Sequence, residues 1–538
     1  MKKLIFLIIA FVAIHCTLFA QEKDAAWDNT INKNWSSEFK LVKIKSSIDS
    51  SLQNARFYRT GKSTLQPLII SLHTWSGDYN QEDPLTKEVL LRDWNYIHPD
   101  FRGPNNNAKA CGSTSVIADL EDAIHFAVLN GMVDTTNVHI IGVSGGGYVA
   151  LMAYMKLSYP VKSFNAWAAI SNLSYWYWES KGRDSKYATD VEQVAMRNNQ
   201  MNWQELDNRS PIRFPFPAEK RKNANLNIYA GVHDGYTGSV PISHSVLFYN
   251  KIAGELYPGQ KEKQVADSTL MSILVKQLNP YADTPFSLGG RKIHLLKQSP
   301  GLSLTLFEGG HEMIVPQTLS LLPVDETKNT NRLKILTIGD SNGAFEYGWP
   351  QQLMKLLPYS TVINKSISGN TIGFDNLDQP RLNTITNINQ SLDEAFNNLG
   401  ANGQLDYILI GLGSNDTKTI FKDRQKEVAK NMDILMHKIN SYLEEHNKIK
   451  PRICIITPSP MDEQKIDRVK YGGGDFRIQQ NNKSFKKIAK KNKVDFIDTY
   501  SVIKVGLNDK TSDGIHLTEK AQFEVASIIL KYINAKKL

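Results

Sequence analysis

Two serines at strand-to-turn junctions constrain this chain more than any other feature. Ser144 lies in the glycine-rich segment 142–146, directly after an apolar run, and Ser341 lies in the segment 339–343, directly after another. A serine hydroxyl is a poor nucleophile until a neighbouring base takes its proton, so each serine needs a histidine and a group that orients it. Histidines and aspartates downstream of each serine can fill these roles. The chain therefore predicts two acyl hydrolases fused end to end.

Length and composition set the outer limits. A chain of 538 residues is too long for one hydrophobic core and long enough for two large ones. The net charge of +9 fits solvated lysines on helix faces, as in the segment 483–487, better than attraction to an acidic partner. The sequence has no arginine–aromatic interleaving and no nucleic-acid-binding motif, so nucleic acid is not an expected partner.

Residues 1–20 have the pattern of a signal peptide. A basic start is followed by an apolar run at 4–14 and by Leu18-Phe19-Ala20 before Gln21 as a plausible cleavage site. The run is too short to span a bilayer as a stable helix. Cys16 suggests a lipoprotein as an alternative, but His15 stands where that signal needs a small residue. We therefore expect export to the periplasm or the medium, with no membrane span in the mature chain.

Short apolar runs alternate with helical patterns along most of the chain, which indicates an α/β architecture with parallel sheets. The segments 39–44 and 53–58 predict a β-hairpin that precedes the first of these runs. A polar linker at 323–331 separates two predicted domains, 21–322 and 332–538. The predicted strands are the runs 68–72, 138–141, 226–230, 302–307, 333–338, 362–364, 407–411, 453–457 and 494–497, and the first domain has predicted helices at 116–129 and 148–157.

The two cysteines of the mature chain, Cys111 and Cys454, fall in different predicted domains. A disulfide framework is therefore not expected, and both are predicted to be free or buried thiols.

The first serine has the surroundings of a nucleophile elbow, in which small residues let a strand turn sharply into a helix and lift the hydroxyl above the sheet. Asp234 and His311 each follow a predicted strand, where α/β sheets build their sites. We therefore predict Ser144, Asp234 and His311 as a catalytic triad. His233 and His244 are rival bases, but neither follows a strand and a glycine turn in this way.

The oxyanion of the first site needs backbone N–H donors. Gly145, at the start of the predicted helix, supplies the first. Thr74 or Trp75, in the loop after the strand 68–72, supplies the second, and the sequence does not decide between them.

Residues of about 35–320 resemble the α/β-hydrolase superfamily, nearest its prolyl-oligopeptidase and esterase branches. The segments 98–103 and 118–123 carry part of that resemblance, beside the elbow and its partners. The stretch before Pro67 is too short for the β-propeller of prolyl oligopeptidases. This departure favours an esterase over a peptidase.

Aromatic residues lie between Ser144 and Asp234. Trp167 is followed by the run 175–178, which contains Trp176 and Trp178. Flat aromatic faces stack on sugar rings or on an aromatic acyl group, so these three tryptophans are candidate substrate-binding residues. A hydrophobic cap that packs on itself is the alternative.

The second serine is followed by three short motifs at 368–370, 413–416 and 513–516. In this order they resemble the SGNH (GDSL-like) hydrolase family over about residues 332–538, which implies a flavodoxin-like three-layer domain. The resemblance implies the following roles: Ser341 as nucleophile, His516 as base, Asp513 as its orienter, and the N–H groups of Ser341 and Gly369 with the Asn415 side chain as oxyanion donors. We interpret Asp340 and Asp416 as hydrogen-bonding supports.

No metal-binding motif, P-loop or dinucleotide fingerprint is recognisable, so we expect neither site to use a metal or cofactor. The pattern predicts an exported bifunctional serine esterase acting on an esterified polysaccharide, with acetyl removed by the second half and acetyl or feruloyl by the first. Three alternatives stay open: a peptidase in the first half, a lipase or lysophospholipase in the second, and a non-catalytic binding role for one half. The sequence leaves the oligomeric state undetermined.

Overall fold

The computed structural model describes residues 34–276, 278, 287–324, 332–400 and 403–536. The chain divides into two compact units. The first comprises residues up to 282 with 293–315 and 322–324, and the second comprises 283–292, 316–321 and 325 onward. The predicted signal segment and most of the predicted linker lie outside the described residues, and the predicted domain boundaries stay predictions.

The first part of the chain alternates strands and helices. Its strands are β1 (Lys40–Lys45), β2 (Leu52–Tyr58), β3 (Gln66–Leu72), β4 (Asn95–Pro99), β5 (Val133–Val143), β6 (Ser163–Trp167), β7 (Met196–Arg197), β8 (Gln200–Met201), β9 (Asn225–Gly231), β10 (Ser287–Leu288), β11 (Arg291–Ser299) and β12 (Leu302–Phe307). Its helices are α1 (Leu85–Arg92), α2 (Thr114–Asn130), α3 (Gly145–Lys156), α4 (Leu173–Gly182), α5 (Lys186–Ala195), α6 (Trp203–Asp207), α7 (Ala218–Arg221), α8 (Ser243–Leu256), α9 (Asp267–Leu274) and α10 (Val315–Thr318).

Ten of these strands form one sheet in the order β1-β2-β4-β3-β5-β6-β9-β12-β11-β10. The central strands from β4 to β12 are parallel, and the edges are antiparallel. The predicted hairpin is confirmed, since β1 and β2 pair with Lys40 opposite Phe57. Most residues of β3 and of the second half of β5 are apolar and buried, because helices cover both faces of a parallel sheet. Their carboxyl ends, and those of β9 and β12, lie at one edge of the sheet.

The second unit contains a smaller sheet. Its strands are β13 (Lys334–Gly339), β14 (Thr361–Asn364), β15 (Tyr407–Gly411), β16 (Arg452–Ile456) and β17 (Asp495–Ile497). Its helices are α11 (Ser341–Ala344), α12 (Trp349–Leu356), α13 (Thr384–Asn398), α14 (Gln425–Glu445), α15 (Arg468–Tyr471), α16 (Gly474–Asn492), α17 (Tyr500–Lys504) and α18 (Glu519–Ala535). The strand order is β14-β13-β15-β16-β17, all parallel. This is the flavodoxin-like order, so the predicted three-layer domain is confirmed.

Successive side chains of β13 contribute to two different hydrophobic cores in the second unit. Leu336 packs in one cluster with residues of α13, α14 and α16, among them Leu392 and Met432. The preceding residue, Ile335, packs in the other cluster with residues of α12 and α18, among them Leu353. Successive side chains of a strand point to opposite faces, so one strand serves both layers of helices.

Both cysteines of the described chain are buried and free, as predicted. Burial raises the pKa of Cys111 and of Cys454 to about 12, so neither is a thiolate at neutral pH. Among the helices in the described ranges, none is long and apolar enough to cross a membrane.

The start of α3 packs directly on backbone, which gives a test of the fold. A Cβ at Gly146 would lie 2.4 Å from the Leu72 carbonyl oxygen. We expect Gly146→Ala to destabilise the first unit by about 1–3 kcal/mol, because the helix must shift away from β3. Thermal unfolding followed by circular dichroism measures the loss.

Gly182, the last residue of α4, provides the matched control, because a Cβ there meets no atom within 4 Å. Alanine is a better helix former than glycine by up to about 1 kcal/mol. Gly182→Ala is therefore expected to leave the unfolding temperature unchanged or slightly raised. Equal losses in the two variants would contradict the close packing at position 146.

Candidate active sites

Ser144 is the single residue between the end of β5 and the start of α3. Its backbone has φ 58° and ψ −119°, a strained conformation for a residue with a side chain. Its N–H donates to the Trp167 carbonyl oxygen at 2.9 Å. A Cβ at Gly142 would lie 2.2 Å from the Gly146 carbonyl oxygen, so the turn closes only with glycine there. The turn therefore fixes the serine hydroxyl at the carboxyl edge of the sheet.

The structure brings Ser144, Asp234 and His311 together. His311 Nε2 lies 2.9 Å from Ser144 Oγ, and Nδ1 lies 2.7 Å from Asp234 Oδ2. A carboxylate only accepts hydrogen bonds, so Nδ1 carries the proton and the Nε2 lone pair is left for a hydroxyl donor. The N–H groups of Gly235 and Val240 both donate to Asp234 Oδ1. These bonds hold the carboxylate, and through it the imidazole ring, in one orientation.

Glu308 ties the loops of the aspartate and the histidine together. Its Oε1 lies 2.5 Å from His233 Nε2, and its Oε2 lies 2.6 Å from His294 Nε2. Burial raises the pKa of Glu308, but the hydrogen bonds of the two histidines outweigh it and the pKa is lowered. His233 directly precedes Asp234, and Glu308 lies three residues before His311. Sequence reasoning missed this residue, because nothing in its local pattern marks it.

The rival bases have other partners. His233 is bonded to Glu308. His244 is buried, with Nε2 2.8 Å from Glu179 Oε2 and Nδ1 accepting from the Ser171 N–H. Of the three histidines considered, only His311 lies against Ser144.

The structure distinguishes between Thr74 and Trp75, the two candidates for the second oxyanion donor of the first site. The Thr74 N–H donates to Gln81 Oε1 at 2.9 Å, so the expectation for Thr74 is corrected. Trp75 lies against the elbow, because a Cβ at Gly145 would be 2.3 Å from the Trp75 nitrogen. The Gly145 N–H is the first of α3 and has no carbonyl four residues back within the helix. Gly145 and Trp75 are therefore the neighbouring candidate donors.

A cavity of about 720 Å³ lies over Ser144 and His311. Hydroxyl-bearing and basic side chains make up most of its wall, and they are Thr74, Ser76, Arg183, Ser185, Lys186, Tyr187, Thr237 and Ser239. The cavity is therefore polar, with Trp75 and Tyr187 as its aromatic members.

The predicted substrate-binding tryptophans do not line this cavity, and that prediction is corrected. Trp167 is fully buried in β6 and stacks on Tyr229 with ring centroids 4.0 Å apart. Trp176 is 1% exposed and donates through Nε1 to the Ser239 carbonyl oxygen. Trp178 is exposed but lies beside Trp203. Trp167 is therefore part of the sheet, whereas Trp176 packs on Trp75 and Tyr187, in line with a hydrophobic cap that packs on itself.

The structure also brings Ser341, Asp513 and His516 together. Ser341 is the first residue of α11, and its Oγ lies 3.0 Å from His516 Nε2. His516 Nδ1 lies 2.5 Å from Asp513 Oδ2. The side chain of His516 is 35% exposed, whereas that of His311 is 12% exposed. The second site is therefore the more open of the two.

Asn342 joins the serine turn to the histidine loop. Its Nδ2 donates to the Ile515 carbonyl oxygen at 3.2 Å, and its Oδ1 accepts from the Leu517 N–H at 2.9 Å. These two bonds bracket His516 and fix its backbone relative to Ser341. Sequence reasoning did not assign this residue a role, although it directly follows the serine.

The predicted oxyanion donors of the second site follow the ends of three adjacent strands. The strands β14, β13 and β15 are neighbours, and the strand order reverses between them, which is where α/β sheets bind ligands. Gly369 follows β14 in the left-handed region at φ 86°, which favours glycine. Asn415 follows β15 and donates through Nδ2 to the Asn370 carbonyl oxygen at 3.1 Å. Tyr471 donates to Asn415 Oδ1 at 3.2 Å, which fixes the amide with its nitrogen towards the turn at 369–370.

The two buried aspartates act as supports, as interpreted from the sequence. Asp340 Oδ1 accepts from the Asn342 N–H, and both oxygens of Asp416 lie 3.1 Å from the Ile372 nitrogen. Burial raises the pKa of both carboxyls, that of Asp416 to about 7.

Residues 91–268 match the prolyl oligopeptidase family, and residues 336–522 match the GDSL-like lipase/acylhydrolase family. The two halves resemble two different serine hydrolase families. The chain therefore carries two serine hydrolase domains. The first match includes Ser144 and Asp234 and ends before His311, whereas the second includes Ser341, Asp513 and His516.

Several solved structures are similar to parts of the chain. An acylaminoacyl peptidase from Pyrococcus horikoshii is 19% identical over 40% of this chain, with a TM-score of 0.33, and the match spans 34% of that protein. A carbohydrate acetylesterase from Sinorhizobium meliloti is 22% identical over 38% of this chain and 99% of its own, with a TM-score of 0.31. An aryl esterase from M. smegmatis is 22% identical over 37% of this chain and 98% of its own, also with a TM-score of 0.31. No curated protein matches the chain.

The contact between Tyr471 and Asn415 gives a test of the second site. Removing the hydroxyl by Tyr471→Phe frees the amide to rotate, and we expect kcat of the Ser341-dependent reaction to fall about ten-fold. A fully lost oxyanion donor costs about 10²–10³. Tyr407→Phe is the matched control, because the buried Tyr407 hydroxyl has no hydrogen-bond partner in the described structure. Equal rates in the two variants would contradict the role of Tyr471.

Asp513 gives a pH test. Burial raises its pKa, but bonds from the N–H groups of His516 and Ile515 and from the His516 ring outweigh it and lower the pKa. An aspartate with a lowered folded-state pKa stabilises the fold above its unfolded value of about 3.9, and the stabilisation is lost as pH falls through the folded value. Asp513→Asn should therefore lower the unfolding temperature of the second unit at pH 7 by about 1–3 °C, because the carboxylate is half exposed.

The difference between Asp513→Asn and the parent is expected to shrink as pH falls below about 3.9 and to vanish once pH is below the lower, folded-state pKa of Asp513. Thermal unfolding at a series of pH values measures it. Asp423→Asn, at an exposed position, is the control and should show no such trend. A difference that grows as pH falls would contradict the sign of the effect.

Proposed function

We propose that the protein is an exported bifunctional esterase, in which two independent Ser-His-Asp sites remove acyl groups from an esterified polysaccharide. The observation that carries the proposal is the repeated geometry: serine, histidine and aspartate lie within hydrogen-bond distance in that order in both halves. Export rests on the pattern of residues 1–20.

At the first site, Ser144 Oγ attacks the ester carbonyl carbon while its proton passes to His311 Nε2. The N–H groups of Gly145 and Trp75 stabilise the oxyanion. The C–O bond to the leaving alcohol then breaks, and the alcohol oxygen takes the proton from Nε2. Water repeats the sequence on the acyl-enzyme, and Asp234 holds the ring in the same orientation throughout.

The second site performs the same steps with Ser341, His516 and Asp513. Its oxyanion donors are the N–H groups of Ser341 and Gly369 and the Asn415 side chain. Each donor aimed at the developing charge contributes about 10²–10³ in rate.

The surroundings of the two sites favour a polar, polymeric substrate. Hydroxyl and basic side chains line the cavity of the first site, which suits a hydroxyl-rich sugar better than a long alkyl chain. His516 and Asp513 of the second site are 35% and 48% exposed, so an ester on a bulky chain can reach Ser341. Two esterases in one exported chain suit a polysaccharide with two kinds or positions of ester, with acetyl as the group for the second site.

A serine peptidase in the first half is the second candidate. The match of residues 91–268 to the prolyl oligopeptidase family supports it. The same triad chemistry cleaves amides as well as esters.

The decisive experiment is acid release from acetylated and feruloylated polysaccharides by the full chain, with Ser144→Ala and Ser341→Ala beside it. We expect each variant to lose one kind or position of released acid, by roughly 10⁴–10⁶ in turnover. Ser243→Ala, at a serine outside both sites, is the control and should match the parent.

The other outcomes are equally specific. No acid release from any polysaccharide by the parent would refute the substrate class. Cleavage of peptide amides by Ser341→Ala that disappears when Ser144→Ala is added would favour the peptidase. Preference of the Ser341-dependent activity for long acyl chains would indicate a lipase instead.

A further inference from the structure

A second hydroxyl reaches the base of the first site. Ser239 Oγ lies 3.1 Å from His311 Nε2, beside the 2.9 Å contact of the same nitrogen with Ser144 Oγ. With the Nδ1 proton directed at Asp234, Nε2 has one lone pair for two hydroxyl donors. Ser239 therefore shares the acceptor on which activation of Ser144 depends.

The backbone around Ser239 is held on several sides. Its carbonyl oxygen accepts from Arg183 Nη2 and from Trp176 Nε1, each at 2.9 Å. The next residue, Val240, donates its N–H to Asp234 Oδ1 at 3.0 Å. One short segment thus holds the aspartate on one side of the imidazole ring and presents a hydroxyl to the other side. The Ser239 hydroxyl also lies on the wall of the substrate cavity.

We propose that Ser239 is a positioning residue that keeps His311 in place during deacylation. The inference rests on the proposed function of the first site. A hydroxyl is both donor and acceptor, so Ser239 donates to neutral Nε2 and accepts from the Nε2–H of the imidazolium. It remains a partner of the base in both protonation states.

The two half-reactions need Ser239 to different extents. Before acylation, the Ser144 hydroxyl itself donates to Nε2 and orients it. In the acyl-enzyme, Ser144 Oγ is esterified and has no proton to donate, and the Ser239 hydroxyl is still in contact with Nε2. Water then attacks the acyl carbonyl carbon and its proton passes to Nε2. The bond from that carbon to Ser144 Oγ breaks, and Ser144 Oγ takes the proton back.

The test measures the two half-reactions separately in a Ser341→Ala chain, where only the first site reacts. p-Nitrophenyl acetate with enzyme in excess gives the acylation rate as release of p-nitrophenol. Rapid-quench mass spectrometry gives the deacylation rate as decay of the acetylated protein. Decay of the acetylated protein is a first-order rate that does not depend on how much of a variant folds, and the acylation rate is divided by the concentration of folded enzyme.

We expect Ser239→Ala to slow deacylation about five- to ten-fold, the size of one hydrogen bond, and to change acylation less than about two-fold. Ser239→Thr keeps the hydroxyl and should restore most of the deacylation rate. Ser243→Ala, four residues further on and outside the cavity wall, should leave both rates unchanged. Unchanged deacylation in Ser239→Ala, or an equal fall in both rates, overturns the inference.

Failure of the proposed function is distinguishable from failure of this inference. Adding Ser144→Ala to the Ser341→Ala chain should abolish acetylation. Persistent acetylation would refute Ser144 as the nucleophile of the first site. Loss of acetylation there, together with normal deacylation in Ser239→Ala, would refute only the role of Ser239.

Discussion

Close approach of backbone to backbone at the Ser144 turn is the constraint on which the first site depends. Strand β5 can turn into α3 within one residue only because Gly142 has no side chain at its contact with the Gly146 carbonyl group and Gly146 has none at its contact with the Leu72 carbonyl group. The same lack of a side chain at Gly145 lets the backbone of Trp75 come close to the serine. A strained residue persists when its surroundings over-determine it, and here the parallel sheet supplies those surroundings.

Strands could be predicted from the sequence where their buried residues are apolar. They could not be predicted where the buried residues are polar. The runs 302–307 and 407–411 coincide with β12 and β15, because both strands are buried and apolar. Strand β6 was missed because it places Ser163 and Asn165 in the interior. These side chains are satisfied there, Ser163 by His139 Nδ1 and Asn165 by the Ile140 carbonyl oxygen. Only the partners on the neighbouring strand make such a sequence a central strand, and a single-strand pattern does not contain them.

The residues of the candidate sites also fall into two groups, those that the sequence pattern locates and those that it does not. Residues tied to a strand end, such as Ser144, His311 and Ser341, could be located because the turn after a parallel strand has a recognisable pattern. Trp167 was misjudged because an aromatic residue is recognisable in sequence while the direction of its ring is not. Tyr471 was missed because its partner Asn415 is 56 residues away, on a different element. Contacts between loops are set by packing of the whole domain, which local patterns do not encode.

The two sites obtain their histidine and aspartate differently, and this determines how each can fail. In the first, the pair is 77 residues apart on loops that follow separate strands, so a relative movement of the two strand ends would break their bond. In the second, the pair is three residues apart on one loop. That loop carries base and orienter as one preassembled unit, and the bonds of Asn342 to Ile515 and Leu517 join the unit to the serine turn. Loss of the Asn342 bonds would therefore release base and orienter together, whereas in the first site a shift between the two strand ends would separate the base from its orienter.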